Sequence, residues 1–384
     1  MISNRAVYSD EHEMFRDAVR GFVKAEITPH FERWEDAGIV DRSLWSAAGS
    51  AGLLCPSVAE AYGGVGGVGG SFKHNAVIGE EIAYAGYAGP IANFSVHSDV
   101  CAGYISNAGS EAQKRHWLPR MVSGETVCAI AMTEPGTGSD LQGIKTRALR
   151  EGDSFRINGS KTFISNGQHC DLVIVVCRTS DAPGAKGISL VLVETDRPGF
   201  RRGRRLHKLG HLSSDTSEMF FDDVVVPASN LMGVEGTGFA TLMTELPQER
   251  LSIAIQSMAF AQRAFDITRD YVHNRKAFGQ EIASFQNTRH KLADLKADLL
   301  VGWAFVDQCL DKHVRHALTA TDASAAKLWC TEMHGRMVDQ CLQFHGGYGF
   351  TREYEICRLY ADARVQRIYG GTSEIMRELI SRSI

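Results

Sequence analysis

The chain has 384 residues, 44% of them hydrophobic and 22% charged, with a formal net charge of −4. So small a charge excludes the basic surface of a nucleic-acid binder, and no run reaches the roughly 20 apolar residues of a membrane-spanning helix. Nine cysteines with no Cys-x-x-Cys lie mostly in apolar runs such as Val175-Val176-Cys177, so buried free thiols in a reducing cytoplasm are expected. Met1 to Asp10 carries no targeting pattern. A chain of this length exceeds what one core usually serves, so two or three packed units are expected.

Residues 1–126 read as helical. Asp10 and Glu13 form a candidate capping box, and Phe15, Val19, Phe22, Val23 and Ile27 mark one face of the first helix. Further helices are expected over Ser43 to Leu53, Phe72 to Gly86 and Pro90 to Ala108. Gly64, Gly66 and Gly69 spell a formal G-x-G-x-x-G, but a helix-like segment and Pro56 precede them instead of a strand. That excludes a dinucleotide fingerprint and leaves a loop.

Residues 127–235 change period. Short apolar or alternating runs at Val127–Met132, Ser154–Ile157, Asp171–Cys177, Ile188–Glu194 and Glu218–Val226 are separated by turn clusters such as Glu134-Pro-Gly-Thr-Gly138 and Asn166-Gly167. With no helices between them, they predict an antiparallel β-domain. Long helices return over 236–384. Leu292, Leu295, Leu299, Trp303, Val306 and Leu310 form one seam of an antiparallel four-helix bundle, and Ala254, Met258, Ala261, Phe265, Thr268 and Val272 a second. The fold class is α+β: helical domain, β-domain, helical bundle. Near the end, Arg367-Ile-Tyr-Gly-Gly-Thr-Ser-Glu374 reads as a glycine turn feeding a helix. Thr372 or Ser373 is its cap and Glu374 lies in its first turn, so free amides are available to a polar ligand.

Seven segments in order extend this reading. Cys128-Ala-Ile-Ala-Met-Thr-Glu-Pro-Gly-Thr-Gly-Ser-Asp140 is followed by Asn158-Gly-Ser-Lys-Thr-Phe-Ile-Ser-Asn-Gly167. Then come Lys208-Leu-Gly with Ser213-Ser-Asp-Thr216, Arg275-Lys-Ala-Phe-Gly279, Phe285-Gln286, Gln343-Phe-His-Gly-Gly347 and Tyr369-Gly-Gly-Thr372. Over essentially the whole chain this series resembles the acyl-CoA dehydrogenase family, and most the long-chain and isovaleryl-CoA branch. The resemblance implies FAD as cofactor and α,β-dehydrogenation of a long or branched fatty acyl-CoA to the trans-2-enoyl-CoA, with hydride passing to flavin N5. It implies flavin contacts at Met132, Thr133, Ser139, Phe163, Ile164 and Ser165. Arg275, Phe278, Gln286, Gln343, Gly346 and Gly347 are implied to hold a neighbouring subunit's FAD, with Thr372, Ser373 and Glu374 as further contacts. A homo-oligomer, a dimer of dimers, and an electron-transferring flavoprotein as acceptor are also implied. Where family members often carry Trp, this chain has Phe163, which can still cover a ring face.

Removing a proton beside a thioester needs a carboxylate in a dry site. Many members of the family place it directly after the tyrosine of the terminal loop, where this chain has Gly370. The long-chain and isovaleryl branch carries it instead in a Glu-Arg pair on an earlier helix, which the resemblance puts at Glu249 with Arg250 beside it. Glu245 is the runner-up, with Pro247 a candidate kink between the two. Substrate contacts are then Ser139, Arg250, Gly370 and Gly371, the Gly370 amide facing the thioester oxygen. No metal site is expected: Gly210 breaks the i, i+4 pair His207 and His211. His313 and His316 read as solvated, and Arg201, Arg202, Arg204 and Arg205 as a solvated loop. Two other functions stay open at this level, an oxygen-using oxidase on the same fold and a non-catalytic flavin-binding scaffold.

Overall fold

The computed structural model describes residues 5–65 and 71–384. Apolar residues at helical spacing build its first layer: α1 (Asp10–Phe22), α2 (Phe31–Ala37), α3 (Ser43–Ser50), α4 (Phe72–Tyr84), α5 (Ala88–Ser95), α6 (Ala102–Ala108) and α7 (Glu111–Val122). The cap of α1 differs from the expected Asp10–Glu13 box. Ser9 is the N-cap and its amide donates to His12 Nδ1 at 3.3 Å, because Asp10 is already drawn into the helix that buries Val19 and Phe22. A π-helical turn, Val96–Cys101, joins α5 to α6. Of the formal glycine motif, Gly66 and Gly69 lie outside the described residues; Gly64 follows a short 3-10 turn, Glu60–Tyr62, and no strand.

The next layer is a sheet of β1 (Cys128–Ala131), β2 (Arg147–Glu151), β3 (Ser154–Ser165), β4 (Leu172–Arg178), β5 (Ile188–Glu194), β6 (Phe200–Arg205), β7 (Thr216–Pro227) and β8 (Leu231–Met232). Its order is β6-β7-β3-β2-β4-β5-β8, with β1 on β4. The long pairings are antiparallel, as expected, but β1 runs parallel to β4 from Cys128↔Leu172 to Ala131↔Val175. Alternation reports which face is buried and says nothing of the neighbour's direction, so the sequence could not show this. Strand β4 is buried on both sides. Leu172, Ile174 and Val176 join the core of the helices, while Val173, Val175 and Cys177 join a second core with Phe155, Ile157 and Phe221. At about 1.5–3 kcal/mol for each large apolar side chain buried, β4 fastens sheet to helices.

The basic run expected as a solvated loop is the edge strand β6. Arg201 stacks on Phe220 at 4.2 Å, and Arg202 donates to Cys170 O (2.6 Å) and Thr195 Oγ1 (2.8 Å). Pairing with β7 overrides the poor local propensity, and charge on an edge keeps other strands away.

The last layer has three long helices, α8 (Gly238–Asn274), α9 (Gln286–Val314) and α10 (Ala320–His345), and the shorter α11 (Glu355–Ala363) and α12 (Ser373–Ser381). Both predicted seams are largely buried, and α11 fills the fourth side of the bundle by packing on α8 and α10. Helix α8 continues through Pro247. His313 is half-buried rather than solvated: its Nε2 bonds Gln248 Oε1 at 3.0 Å and its ring packs edge-on against Phe72. Among the described residues no helix is long and apolar enough to cross a membrane.

One buried ion pair locks the turn after β1. Lys161 Nζ, on β3, donates to Met132 O (2.9 Å), Val176 O (2.7 Å) and Glu134 Oε1 (2.9 Å). Glu134 also accepts the amides of Lys145 (2.7 Å) and Thr146 (2.9 Å). Burial works against ionised Glu134, yet Lys161 and these donors hold its carboxyl below the ordinary range. Lys161→Met strands the carboxylate and is expected to cost about 3–5 kcal/mol in urea unfolding. The double variant Lys161→Met/Glu134→Gln should recover part of that loss.

Candidate active site

Glu249 lies a third of the way along α8 and is buried. Its neighbour across the helix interface is Tyr104 of α6, whose hydroxyl donates to Glu249 Oε1 at 2.9 Å. Oε2 accepts no hydrogen bond from the described residues, so one oxygen is held and the other is left to react. Burial pushes the carboxyl pKa up to about 7; the Tyr104 hydroxyl and the Arg250 charge partly oppose this, and Glu245 adds to it. A carboxylate of that pKa is half-ionised at neutral pH and strongly basic for its type, as a general base must be. Glu245, the runner-up, is also buried, but Asn107 Nδ2 donates to both of its oxygens (2.9 and 3.0 Å). That leaves Glu249 as the freer of the two.

The glycine loop of the sequence sits against this part of α8. Gly370 (φ 66°) and Gly371 (φ 96°) both lie in the left-handed region, and a Cβ on Gly370 would fall 2.4 Å from Ile253 Cδ1. Ile253 is one turn beyond Glu249, so the loop lies directly against the carboxylate's helix, and a side chain at 370 would have to displace the tip of Ile253. Arg250 Nε donates to Gly370 O (3.3 Å) and Lys327 Nζ of α10 to Gly371 O (2.6 Å). The amides of Gly370 and Gly371 have no partner among the described residues, so they are open to a ligand. Thr372 caps α12 through the Ile375 amide (3.3 Å), and Ser373 Oγ donates to Glu332 Oε1 (2.6 Å). Those hydroxyls are therefore already engaged, while Glu374 is exposed.

The expected flavin-facing residues gather at the end of β1 and the bend of β3. Thr162 N–H donates to Thr133 O (2.9 Å), which sets the two segments side by side. Between Lys161 and Ile164 the register with β7 slips, and Phe163 takes a φ of 58° with 67% of its surface exposed. A bulge that turns an aromatic ring outward in a strained conformation is a device for aiming it. Ile164 is buried beneath, Met132 and Ser165 are half-buried, and Ser139 is exposed in the following turn. Asn166 pins this bend by donating to Asn93 O (3.0 Å) and Cys128 O (3.2 Å). An outward ring face beside this turn fits an isoalloxazine ring.

Arg275, Phe278, Gln286, Gln343, Gly346 and Gly347 form a separate group at the far end of α8. There β9 (Lys276–Ala277) and β10 (Gln280–Glu281) make a tight hairpin with Phe278 at its tip, at φ 52° and 95% exposed. Arg275 lies over the Tyr348 ring at 5.7 Å, and Tyr271 stacks on His345 at 4.2 Å, which brings the end of α10 alongside. Arg275 stands 26 positions beyond Glu249, about 39 Å of helix, too far to share one flavin ring with it. Tyr104, Lys161 and Lys327 were missed from the sequence. Lys327 had a signal, a lone cation on the apolar stripe Ala323, Ala326, Cys330; Tyr104 had none.

Among the described residues no cluster of His, Cys, Asp or Glu has metal-binding geometry. His211 instead spends its amide on Asp362 and is buried at φ 50°.

Comparison with known proteins matches three family models: Acyl-CoA dehydrogenase, N-terminal domain at residues 9–125, middle domain at 129–224 and C-terminal domain at 236–384. The long-chain specific acyl-CoA dehydrogenase, mitochondrial, of Sus scrofa is 50% identical over 100% of this chain and 88% of its own length. An acyl-CoA dehydrogenase structure from Geobacillus kaustophilus superposes with a TM-score of 0.96 at 44% identity, covering 99% of each chain. A glutaryl-CoA dehydrogenase from Mycobacterium smegmatis in complex with FADH2 gives 0.91 at 28% identity, over 98% of this chain and 95% of that one.

The hydrogen bond to Oε1 supports the ionised form of Glu249. Tyr104→Phe should therefore move its pKa above about 7, read as the pH at which the carboxylate infrared band appears.

Proposed function

The chain belongs to the acyl-CoA dehydrogenase family, enzymes that use FAD, and on that footing we propose that it oxidises a long or branched fatty acyl-CoA with Glu249 as base. The observation that supports this reading is the Glu249 carboxylate itself: buried, tuned to about neutrality, one oxygen held by Tyr104, and one turn from the loop at Gly370.

In this reading Glu249 Oε2 takes the proton from the carbon next to the thioester. As that bond breaks, charge moves to the thioester oxygen, where the free amide of Gly370 strengthens its hydrogen bond. Arg250 holds the loop from behind and leaves Glu249 a cationic neighbour once ionised. Phe163 would cover one face of the flavin, and Met132, Thr133, Ser139, Ile164 and Ser165 would border it. When bound, FAD supplies the hydride acceptor for the adjacent carbon. Buried apolar surroundings keep water from the base, which is what allows its pKa to stay high.

The separation of the Arg275 group from Glu249 supports a homo-oligomer, a dimer of dimers. Arg275, Phe278, Gln286, Gln343, Gly346 and Gly347 of one subunit would serve the cofactor of another, with the Thr372–Glu374 helix start as a further contact. We take the domains as 1–126, 127–235 and 236–384, an electron-transferring flavoprotein as acceptor, and the cytoplasm as compartment. Nine free cysteines, eight of them buried, suit a reducing compartment.

Glu249→Gln should retain FAD and bind acyl-CoA, while anaerobic bleaching of the flavin by a panel of acyl-CoAs slows by about 10²–10⁴-fold. Near-normal bleaching would remove Glu249 from the role. Arg275→Ala should purify with depleted FAD and regain it at high added FAD, measured by the ratio of flavin to protein absorbance.

A further inference from the structure

Lys327 is the residue of the helical core whose chemistry is least explained by packing. It is fully buried on α10, among Ala323, Ala326 and Cys330, and no carboxylate lies within 4 Å of its ammonium among the described residues. A lysine so placed is unfavourable unless its charge is used, and burial draws its pKa down to about 8. Among the described residues its ammonium makes one hydrogen bond, to Gly371 O at 2.6 Å. Arg250, also buried and without a carboxylate in salt-bridge range, donates to the preceding carbonyl, Gly370 O, at 3.3 Å. Two cations from two different helices thus seize two consecutive carbonyls of one glycine loop.

The consequence is geometric. A trans peptide is rigid, so anchoring the Gly370 and Gly371 carbonyls toward α8 and α10 fixes the planes that carry the Gly371 and Thr372 amides, and with them the loop backbone from which the Gly370 amide projects. With φ values of 66° and 96°, these glycines have many backbone alternatives, and only an outside hold selects one. The same two charges also set a positive potential behind the loop, which favours a thioester oxygen gaining negative charge in front of it.

We propose that Lys327 is a positioning residue for the dehydrogenation: by gripping the Gly371 carbonyl it holds the glycine loop in the backbone conformation that presents the Gly370 amide to the thioester oxygen, and so stabilises the enolate. The inference rests on the acyl-CoA dehydrogenase reading of the site.

The test uses full-length holoenzyme and two variants, Lys327→Met, which removes donor and charge, and Lys327→Gln, which keeps a donor alone. Each is reduced anaerobically with acyl-CoA and separately titrated with a 3-thia-acyl-CoA, whose acidic α-carbon yields an enolate that gives a long-wavelength charge-transfer band with oxidised flavin. Expected are retained FAD, nearly unchanged KM, flavin reduction slowed about 10- to 100-fold in Lys327→Met, and a band that forms only at higher pH. Lys327→Gln should fall between this variant and the wild type, and it carries the test if Lys327→Met does not fold. Either variant holding FAD with wild-type reduction and a wild-type band overturns the proposal. If the wild type itself neither bleaches nor forms the band, the proposed function has failed, an outcome distinct from unaltered variants beside an active wild type.

Discussion

A carboxylate kept ionisable inside an apolar helix interface is the constraint on which the rest of the site depends. Burial alone would leave Glu249 protonated and inert near neutrality, and full hydration would leave it too weak a base. The hydroxyl of Tyr104 and the charge of Arg250 oppose burial just enough to put the pKa at about 7. Both partners are themselves buried, so α6 and α8 must pack in one register for the balance to hold. The π-turn at Val96–Cys101, directly before α6, lies in the rod that sets this register.

The same rod links the base to the sheet. His97 donates Nε2–H to Met121 O at 3.0 Å and accepts the Cys128 amide at Nδ1 at 3.1 Å, so β1 starts from the helical layer. Burial holds this imidazole neutral, as its two roles require. From there β1 runs to Met132 and Thr133, where Lys161 and Glu134 lock the turn, and Phe163 emerges from the adjacent bulge. Base and flavin-facing segment are therefore both fastened to one helical rod, the one by Tyr104 and the other by His97. Also against α8, the Gly370 loop closes the site beside Ile253.

Much of this was legible in the residues. Helical spacing outlined the three layers, and the seams Leu295–Leu299–Trp303 and Ala254–Met258–Ala261 are buried as read. Glu249 was named by the resemblance to the long-chain and isovaleryl branch, once Gly370 stood where other members carry the carboxylate. What was misread has a common cause. The arginines of β6 looked solvated because their strand exists only through pairing with β7, and His313 looked solvated because Phe72 and Gln248, which cover it, are remote in sequence.

By itself, then, the sequence determined the order of layers and the loop glycines, while the base candidate Glu249 came from its resemblance to a family. These follow from period, turn chemistry and motif, which are properties of residues a few positions apart. Only the tertiary structure decided that β1 lies parallel to β4 and that Tyr104 meets Glu249 across 145 positions. It also decided that Arg250 and Lys327 reach adjacent carbonyls across 120 and 44 positions. A hydroxyl or ammonium has no local preference for a partner so far along the chain. It acquires one when folding removes water from both and leaves them nothing else to bond.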